Sequence, residues 1–467
     1  MAEVAWPRVL VLALAVRAAL PLAVFWATGD LSTCHARDTS GYLGPAIELL
    51  ANGRFQTQDH PEILRTPGYS LLLIPGILLG HLEAVTVALQ VACSGLTVLL
   101  IWKSASLLTD RPGAGLAAGC LYALEPLSVI YASKLLSETL FTALLILSLY
   151  LLLRYLRSES TPVLAGAGAA LSAAVYVRPV GYLLPVLVFA VLLARWWRRR
   201  ASGRRPLWQT LLFLGLCASA LGAWQARNAV VAEYRGFAAV TAVNAYFYYG
   251  AAVLAAEEGV PYRQMQERLG YRDDEVYLAR HPEQRGWSQA ERYRFLGREG
   301  TRLALSRPLL CARICLQGLV RVVLDPGGVE LLRLFGQYPE SGGMLGAILD
   351  RGLVEVVRDT VRQHPEVGWV TLGTGVPLGI CLILATVALL GPGRLRGAPV
   401  ACLVTAAGYL LLASAGPLAL DRFRHPVMPI LCLLAGHAAP AVAAALRARW
   451  SGLRSRIPAA GSPSEGR

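Results

Sequence analysis

About ten stretches of this chain are long, apolar and nearly free of charge, and a helix of roughly 18 such residues crosses a hydrocarbon core. They fall at residues 9–26, 84–102, 114–131, 135–153, 163–177, 181–194, 207–224, 367–390, 398–413 and 427–446. Barrel strands would alternate at period two, and these stretches do not. The expected fold class is therefore all-α, a polytopic helical membrane protein of about ten transmembrane helices with outward-facing interfacial helices and loops. With 55% hydrophobic and only 16% charged residues, a soluble globular chain is excluded.

Two further apolar segments fail as spans. Residues 71–80 are too few to cross and contain Pro75, so they read as a dipping segment. Residues 303–324 carry Arg307, Arg313 and Arg321 and read as an amphipathic helix lying in the interface.

Orientation follows from the short loops. The stretch 195–205 (RWWRRRASGRR) is strongly basic and belongs in the cytoplasm. Counting outward from it, Lys103/Arg111, Arg154/Arg157, Arg394/Arg396 and Arg447/Arg449 fall on the same side. The N-terminus does too, with a first helix that reads as an uncleaved signal anchor. The long loop 227–366 and the polar loop after the first helix then face outward. The expected organisation is a transmembrane catalytic module (1–226) whose first outward loop covers 28–83. An outward region with interfacial helices (227–366), C-terminal transmembrane helices (367–450) and a disordered cytoplasmic tail (451–467) follow. No internal repeat supports an inverted-repeat transporter.

The net charge of +14 does not indicate nucleic acid. Lys103 and Lys134 are the only lysines, and arginine, with its bidentate fork and weak hydration, suits phospholipid-like head groups. The nine cysteines are scattered, mostly within apolar runs, and give no disulfide framework or metal cage. No phosphate-cradling or dinucleotide-binding glycine loop is present.

Polar chemistry concentrates in the first outward loop. Residues 36–70 (ARDTSGYLGPAIELLANGRFQTQDHPEILRTPGYS) hold Asp38, then Tyr42 and a helix-like stretch, then Arg65, Pro67 and Gly68. Tyr42, His60, Arg65 and Tyr69 are candidate substrate contacts. His35, Asp59 and His60 flank Asp38, but their spacing matches no metal cage; no cofactor is required, and a divalent ion stays open. Lys134, Arg178, Arg227, Arg422 and Arg424 are bases on the outward side, where positive charge is disfavoured. They read either as side chains snorkelling to lipid phosphates or as a cationic ring for an anionic head group. Glu138 opens a span on that side. Arg17 and Glu125 are the main charges inside spans, and buried charge at that depth demands a partner.

The order of these pieces resembles the GT-C membrane glycosyltransferases, in the branch of the protein mannosyltransferases and the bacterial lipid A aminoarabinose transferases. The resemblance is carried by ARDTSGYLGPAIELLANGRF with RTPGYSLLL, EPLSVIYASKLLSETLF, VYVRPVGYLLP, WQARNAVVAEYRGFAAVT and DRFRHPVMPIL. It implies a catalytic carboxylate at Asp38, a second acidic residue at Glu138, a polyprenyl-phosphate sugar donor and inversion at the anomeric carbon. Many relatives pair acids in the first loop, whereas Asp38 has Arg37 and Thr39 as neighbours. The expected partners are that donor, membrane lipids and a lipid, glycan or protein acceptor. The expected location is the plasma (inner) membrane, with the site on the extracytoplasmic side. The rival readings are a lipid-linked sugar flippase and a non-catalytic cell-envelope scaffold. A flippase needs polar groups deep within several spans.

Overall fold

The computed structural model describes residues 2–198, 205–338 and 353–454. Part of the basic loop 195–205 and the tail beyond Arg454 lie outside them, so the disordered-tail expectation falls on undescribed residues; its first four positions continue the last helix.

The helices follow the apolar runs. They are α1 Ala2–Thr28, α2 Ser40–Asn52, α3 Pro67–Leu78, α4 Leu82–Leu108, α5 Ala114–Ala123, α6 Pro126–Ser133, α7 Glu138–Ser158, α8 Thr161–Val177, α9 Leu184–Arg198 and α10 Arg205–Ala232. Within residues 227–366 come α11 Val240–Val243, a π-helix Asn244–Gly250, α12 Ala251–Glu258, α13 Tyr262–Arg268, α14 Asp274–Arg280, α15 Gln289–Ser306, α16 Pro308–Leu324 and α17 Val329–Leu334. The rest are α18 Leu353–Gln363, α19 Pro365–Leu390, α20 Ala398–Ser414, a 3₁₀ segment Asp421–Val427 and α21 Met428–Arg454. Seven helices among the described residues are long and apolar enough to cross a membrane, or nine if each of two bent pairs is one span. The ten expected spans correspond to those seven, the bent pair α5–α6, and α8 and α20 at 17 residues each. The core runs through α4, α5, α7, α8 and α21, where Phe141, Leu152, Ala167, Ala174, Ile430 and Ala435 are fully buried.

The bend between α5 and α6 measures 51° and has identifiable causes. Pro126 cannot donate a backbone hydrogen bond, so the helix stops before it. Glu125 then caps the new start, accepting from Leu127 N–H at 3.2 Å and Ser128 N–H at 2.6 Å. The carbonyls freed at the end of α5 are met from α1. Arg17, fully buried, donates to Tyr122 O at 2.9 Å and Ala123 O at 2.7 Å, and to the hydroxyls of Ser94 at 2.6 Å and Ser128 at 2.8 Å. Backbone groups left bare in hydrocarbon cost several kcal/mol each, and this one side chain removes two of them. Arg17 and Glu125, the two charges noted inside spans, thus repair a single break.

Helix α3 has 12 residues, about 18 Å of rise, too little to span. It turns tightly into α4, and a β-carbon on Gly76 would lie 2.8 Å from the Leu82 carbonyl oxygen. The expected amphipathic helix 303–324 is divided: α15 and α16 meet at 99°, with Pro308 opening the second. On α16, Leu309, Leu316 and Leu324 are exposed on one stripe, while Gly318 packs against the backbone of Gly416. The region 227–366 has a core of its own around Tyr246, Phe247, Met265, Tyr277 and Leu296.

Candidate active site

The loop after α1 is stitched to the segment between α6 and α7. Leu135 N–H donates to Cys34 O at 2.8 Å, and Thr39 Oγ1 donates to Leu135 O at 2.8 Å while accepting from Ala36 N–H at 2.9 Å. Gln90 of α4 supports the same segment from below, donating to Ala132 O at 3.1 Å and Lys134 O at 2.8 Å. Asp38 is held rigidly at this junction. Its Oδ1 accepts from Arg65 at 3.1 Å and its Oδ2 from Arg422 at 2.7 Å.

Arg422 also lies 3.8 Å from Glu138, whose carboxylate is 2.5 Å from Arg178. The result is an alternating row, Arg65–Asp38–Arg422–Glu138–Arg178, with one positive charge in excess. Glu138 is 1% exposed, yet neither of its oxygens has a partner with hydrogen-bond alignment. Arg178 holds it as a close ion pair. Phe423 lies between the two guanidiniums, 5.2 Å from Arg422 and 5.9 Å from Arg178. Burial alone would raise the Asp38 carboxyl. The guanidiniums of Arg422 and Arg65 outweigh it and hold the group well below the ordinary carboxylate range.

The sequence RTPGYS explains how Arg65 arrives. Glu62 accepts from the N–H groups of Leu64 at 2.7 Å and Arg65 at 2.8 Å, fixing the approach to α3. Pro67 starts that helix. A β-carbon on Gly68 would lie 2.7 Å from the Tyr176 carbonyl oxygen, so glycine lets α3 close on the end of α8, next to Arg178. Ser70 donates to Tyr42 O at 2.8 Å. Arg65 lies over the Tyr42 ring at 4.4 Å, and the Tyr42 hydroxyl meets Ser137 Oγ at 3.1 Å.

Several expected site residues are placed elsewhere, which corrects the single cationic ring. Lys134 is buried and paired with Glu330 of α17, whose carboxylate it shares with Arg333. Arg227 donates to the carbonyls of Glu62 and Phe55, both at 2.7 Å, with its guanidinium 4.8 Å from the Trp224 ring. Arg424 is 1% exposed and donates to Val322 O at 2.7 Å, Val323 O at 3.2 Å and Asp325 O at 2.8 Å, capping the end of α16. Tyr69 is fully buried, with its hydroxyl on Gln90 at 2.9 Å, so it holds up the fold rather than a ligand. His60 is exposed beside the hairpin turn Gln58–Asp59, and His35 bonds Glu83 at 2.8 Å. Among the described residues, no three His, Cys, Asp or Glu side chains gather as a metal would require.

Sequence reasoning missed Ser137, Phe423 and Glu330. Phe423 sits inside DRFRHP, a stretch already singled out. Glu330 is 196 residues from its partner Lys134, and nothing local announces it.

Residues 59–224 match the family of dolichyl-phosphate-mannose-protein mannosyltransferases. Arg65, Glu138 and Arg178 fall inside that segment, Asp38 and Arg422 outside it. No curated protein sequence matches the chain. Among solved structures, the archaeal oligosaccharyltransferase AglB from Archaeoglobus fulgidus, in complex with an inhibitory peptide and a dolichol-phosphate, aligns at TM-score 0.44 and 15% identity. That alignment covers 98% of this chain and 52% of the other, so the chain spans about half the length of AglB. ArnT from Cupriavidus metallidurans bound to undecaprenyl phosphate aligns at TM-score 0.36 and 15% identity, over 91% of this chain and 77% of that one. The chain is a polytopic helical membrane protein whose residues 59–224 match the family of dolichyl-phosphate-mannose-protein mannosyltransferases.

Proposed function

We propose that this chain is an inverting glycosyltransferase. It moves a sugar from a polyprenyl-monophosphate carrier to an acceptor hydroxyl on the outer face of the plasma membrane. The observation that carries this reading is the row of two carboxylates between three guanidiniums at one end of the bundle. Direct displacement needs two things there. A base must take the proton of the attacking hydroxyl, and cations must meet the charge developing on the leaving phosphate.

Asp38 is the base and Arg422, Arg65 and Arg178 are the phosphate contacts. The acceptor oxygen attacks the anomeric carbon from the face opposite the phosphate, and its proton passes to the Asp38 carboxylate. The bond from the anomeric carbon to the phosphate oxygen breaks, and the lipid phosphate leaves with the electron pair. One displacement inverts the centre. With both oxygens on guanidiniums, Asp38 is a weak base before substrate arrives. A donor phosphate competing for Arg422 loosens that hold and restores its basicity. Glu138 keeps Arg178 and Arg422 apart and oriented. The outward placement of the site is supported by the basic loops that favour the opposite side. The engagement of Arg17 and Glu125 in repairing one helix break favours an enzyme over a flippase.

Cells lacking the chain retain both its substrates, so their membranes serve as the assay material. Asp38→Asn should insert normally and transfer sugar at a rate lower by about 10²–10⁴, the usual loss of a general base. Asp38→Glu should keep slight activity. Near wild-type turnover by Asp38→Asn beside a dead Glu138→Gln would move the base to Glu138. Full activity of both variants would remove both carboxylates from the chemistry, and a wild-type chain that transfers no sugar would falsify the enzyme reading.

A further inference from the structure

The π-helix Asn244–Gly250 carries the run Tyr-Phe-Tyr-Tyr and belongs to none of the machinery above. Such helices are rare and recur at functional sites. Its position is set by contacts at both ends. Just before it, Ala239 N–H donates to Ile63 O at 2.8 Å, two residues from Arg65. Near its end, a β-carbon on Gly416 would lie 2.7 Å from the Tyr249 hydroxyl, and Gly416 precedes the segment that carries Arg422. The π-helix thus bridges the two loops whose arginines hold Asp38.

Its aromatic residues divide in two. Tyr246 and Phe247 are buried in the core of the outward region. Tyr248 is only half-buried, as is Tyr271, and their hydroxyls meet at 2.6 Å. In such a pair one hydroxyl donates to the other, which leaves one O–H and the remaining lone pairs for a ligand. The Asp38 charge is among the causes that raise the Tyr248 phenol, after burial and the Tyr271 contact, so this phenol lies within the field of the site. Beside the pair, Arg272 is exposed and has φ of +68°, left-handed backbone that a β-carbon disfavours. Its guanidinium lies 5.2 Å from the Tyr271 ring. Strain of this kind persists where the surroundings require it, commonly in binding and catalytic regions.

We infer that Tyr248, Tyr271 and Arg272 form the acceptor-binding face of the site, built for a hydroxyl-rich acceptor such as a glycan. Phenol faces stack on sugar rings, the hydroxyl pair bonds sugar hydroxyls, and Arg272 adds a charged donor at the outer rim. The assignment rests on the glycosyltransferase reading, in which the attacking hydroxyl must reach Asp38 from outside the membrane.

The test uses the full chain with donor lipid extracted from cells lacking it and membranes of the same cells as the acceptor. Two rates are measured, sugar transfer to the membranes and the slower release of free sugar to water without acceptor. The double variant Tyr248→Phe/Tyr271→Phe should lose transfer by about tenfold or more, on the scale of lost ligand hydrogen bonds, with release unchanged. Arg272→Gly should lose transfer while its Tm holds or rises, because glycine accepts that backbone. If the phenylalanine variant lowers Tm, Arg272→Gly alone decides. Unchanged transfer overturns the proposal. A parallel fall of transfer and release also overturns it, because the face then serves the donor. A wild-type chain that shows neither rate overturns the glycosyltransferase reading first.

Discussion

Asp38 shares its two oxygens between guanidiniums that lie 27 and 384 positions away in the chain. Its carboxyl titrates below the ordinary range in the folded protein, with burial opposing and Arg422 and Arg65 prevailing. By linkage, the stability this contributes is present above the carboxyl's unfolded value and is lost as pH falls through the lower folded value. On the proposed function, with Asp38 as the base, the same displacement sets the acid limb of kcat/KM, which reports the free enzyme. Arg65→Ala removes one of the two guanidiniums, so the limb should move to higher pH in a pH–rate profile. A limb that stays in place would detach Asp38 from the rate. The catalytic roles expected of Asp38 and Glu138 were what the family resemblance implies, and Arg422 lies within 2.7 Å of one carboxylate and 3.8 Å of the other. The five outward bases were recognised as anomalous, but one anomaly had three causes. Arg178 and Arg422 hold the two carboxylates, Lys134 answers Glu330, and Arg227 and Arg424 meet bare carbonyls. A local sequence window contains the base but not the group that needs it.

At the scale of elements, the apolar runs locate the helices because length and hydropathy suffice for that. The breaks depend on distant residues. Helix α2 begins at Ser40, as the loop pattern suggested, and its second residue is Gly41. A β-carbon there would lie 2.5 Å from Arg65 Nε. The conflict falls on the far end of a flexible side chain, so Gly41→Ala should displace the Arg65 guanidinium from Asp38 and leave the helix intact. We expect a Tm within a few degrees of wild type and transfer reduced severalfold. Activity unaffected by Gly41→Ala would mean that Arg65 need not touch Asp38. For residues 227–366 the sequence offered interfacial helices and no further architecture. The reason is physical: the helices between Val240 and Arg280 have eight residues or fewer, and the core is assembled from apolar residues spread from Ala242 to Leu296, without a sustained period.

Across the whole molecule, the region 227–366 closes back on the bundle through α17. Glu330 takes both Lys134 and Arg333, and Thr33 Oγ1 donates to Leu334 O at 2.6 Å. Burial alone would raise the Glu330 carboxyl, and Lys134 and Arg333 hold it low instead. Glu330→Gln would leave the Lys134 ammonium buried without its counter-charge, a loss of about 3–5 kcal/mol for a broken buried pair. Differential scanning of the purified chain should record it as a clear drop in Tm, and the double variant Glu330→Gln/Lys134→Met should recover much of it. Failure to recover would show that the two residues do not act as a pair.

The dependence of Arg17 on a helix made a hundred residues later has a consequence for how the chain is born. Until Ser128 has left the ribosome, α1 enters the bilayer with a guanidinium whose later partners on α5 and α6 do not exist. A lone arginine at that depth costs about 2.5–3.5 kcal/mol. Nascent chains halted before Tyr122 should therefore be extracted from membranes by alkaline carbonate more readily than chains halted after Ser128, and Arg17→Leu should abolish the difference. Equal extraction at both lengths would mean that α1 settles unaided. With the expected difference, the order of synthesis imposes a waiting period: the first helix stays at the insertion machinery as a guest until the broken third span arrives to receive it.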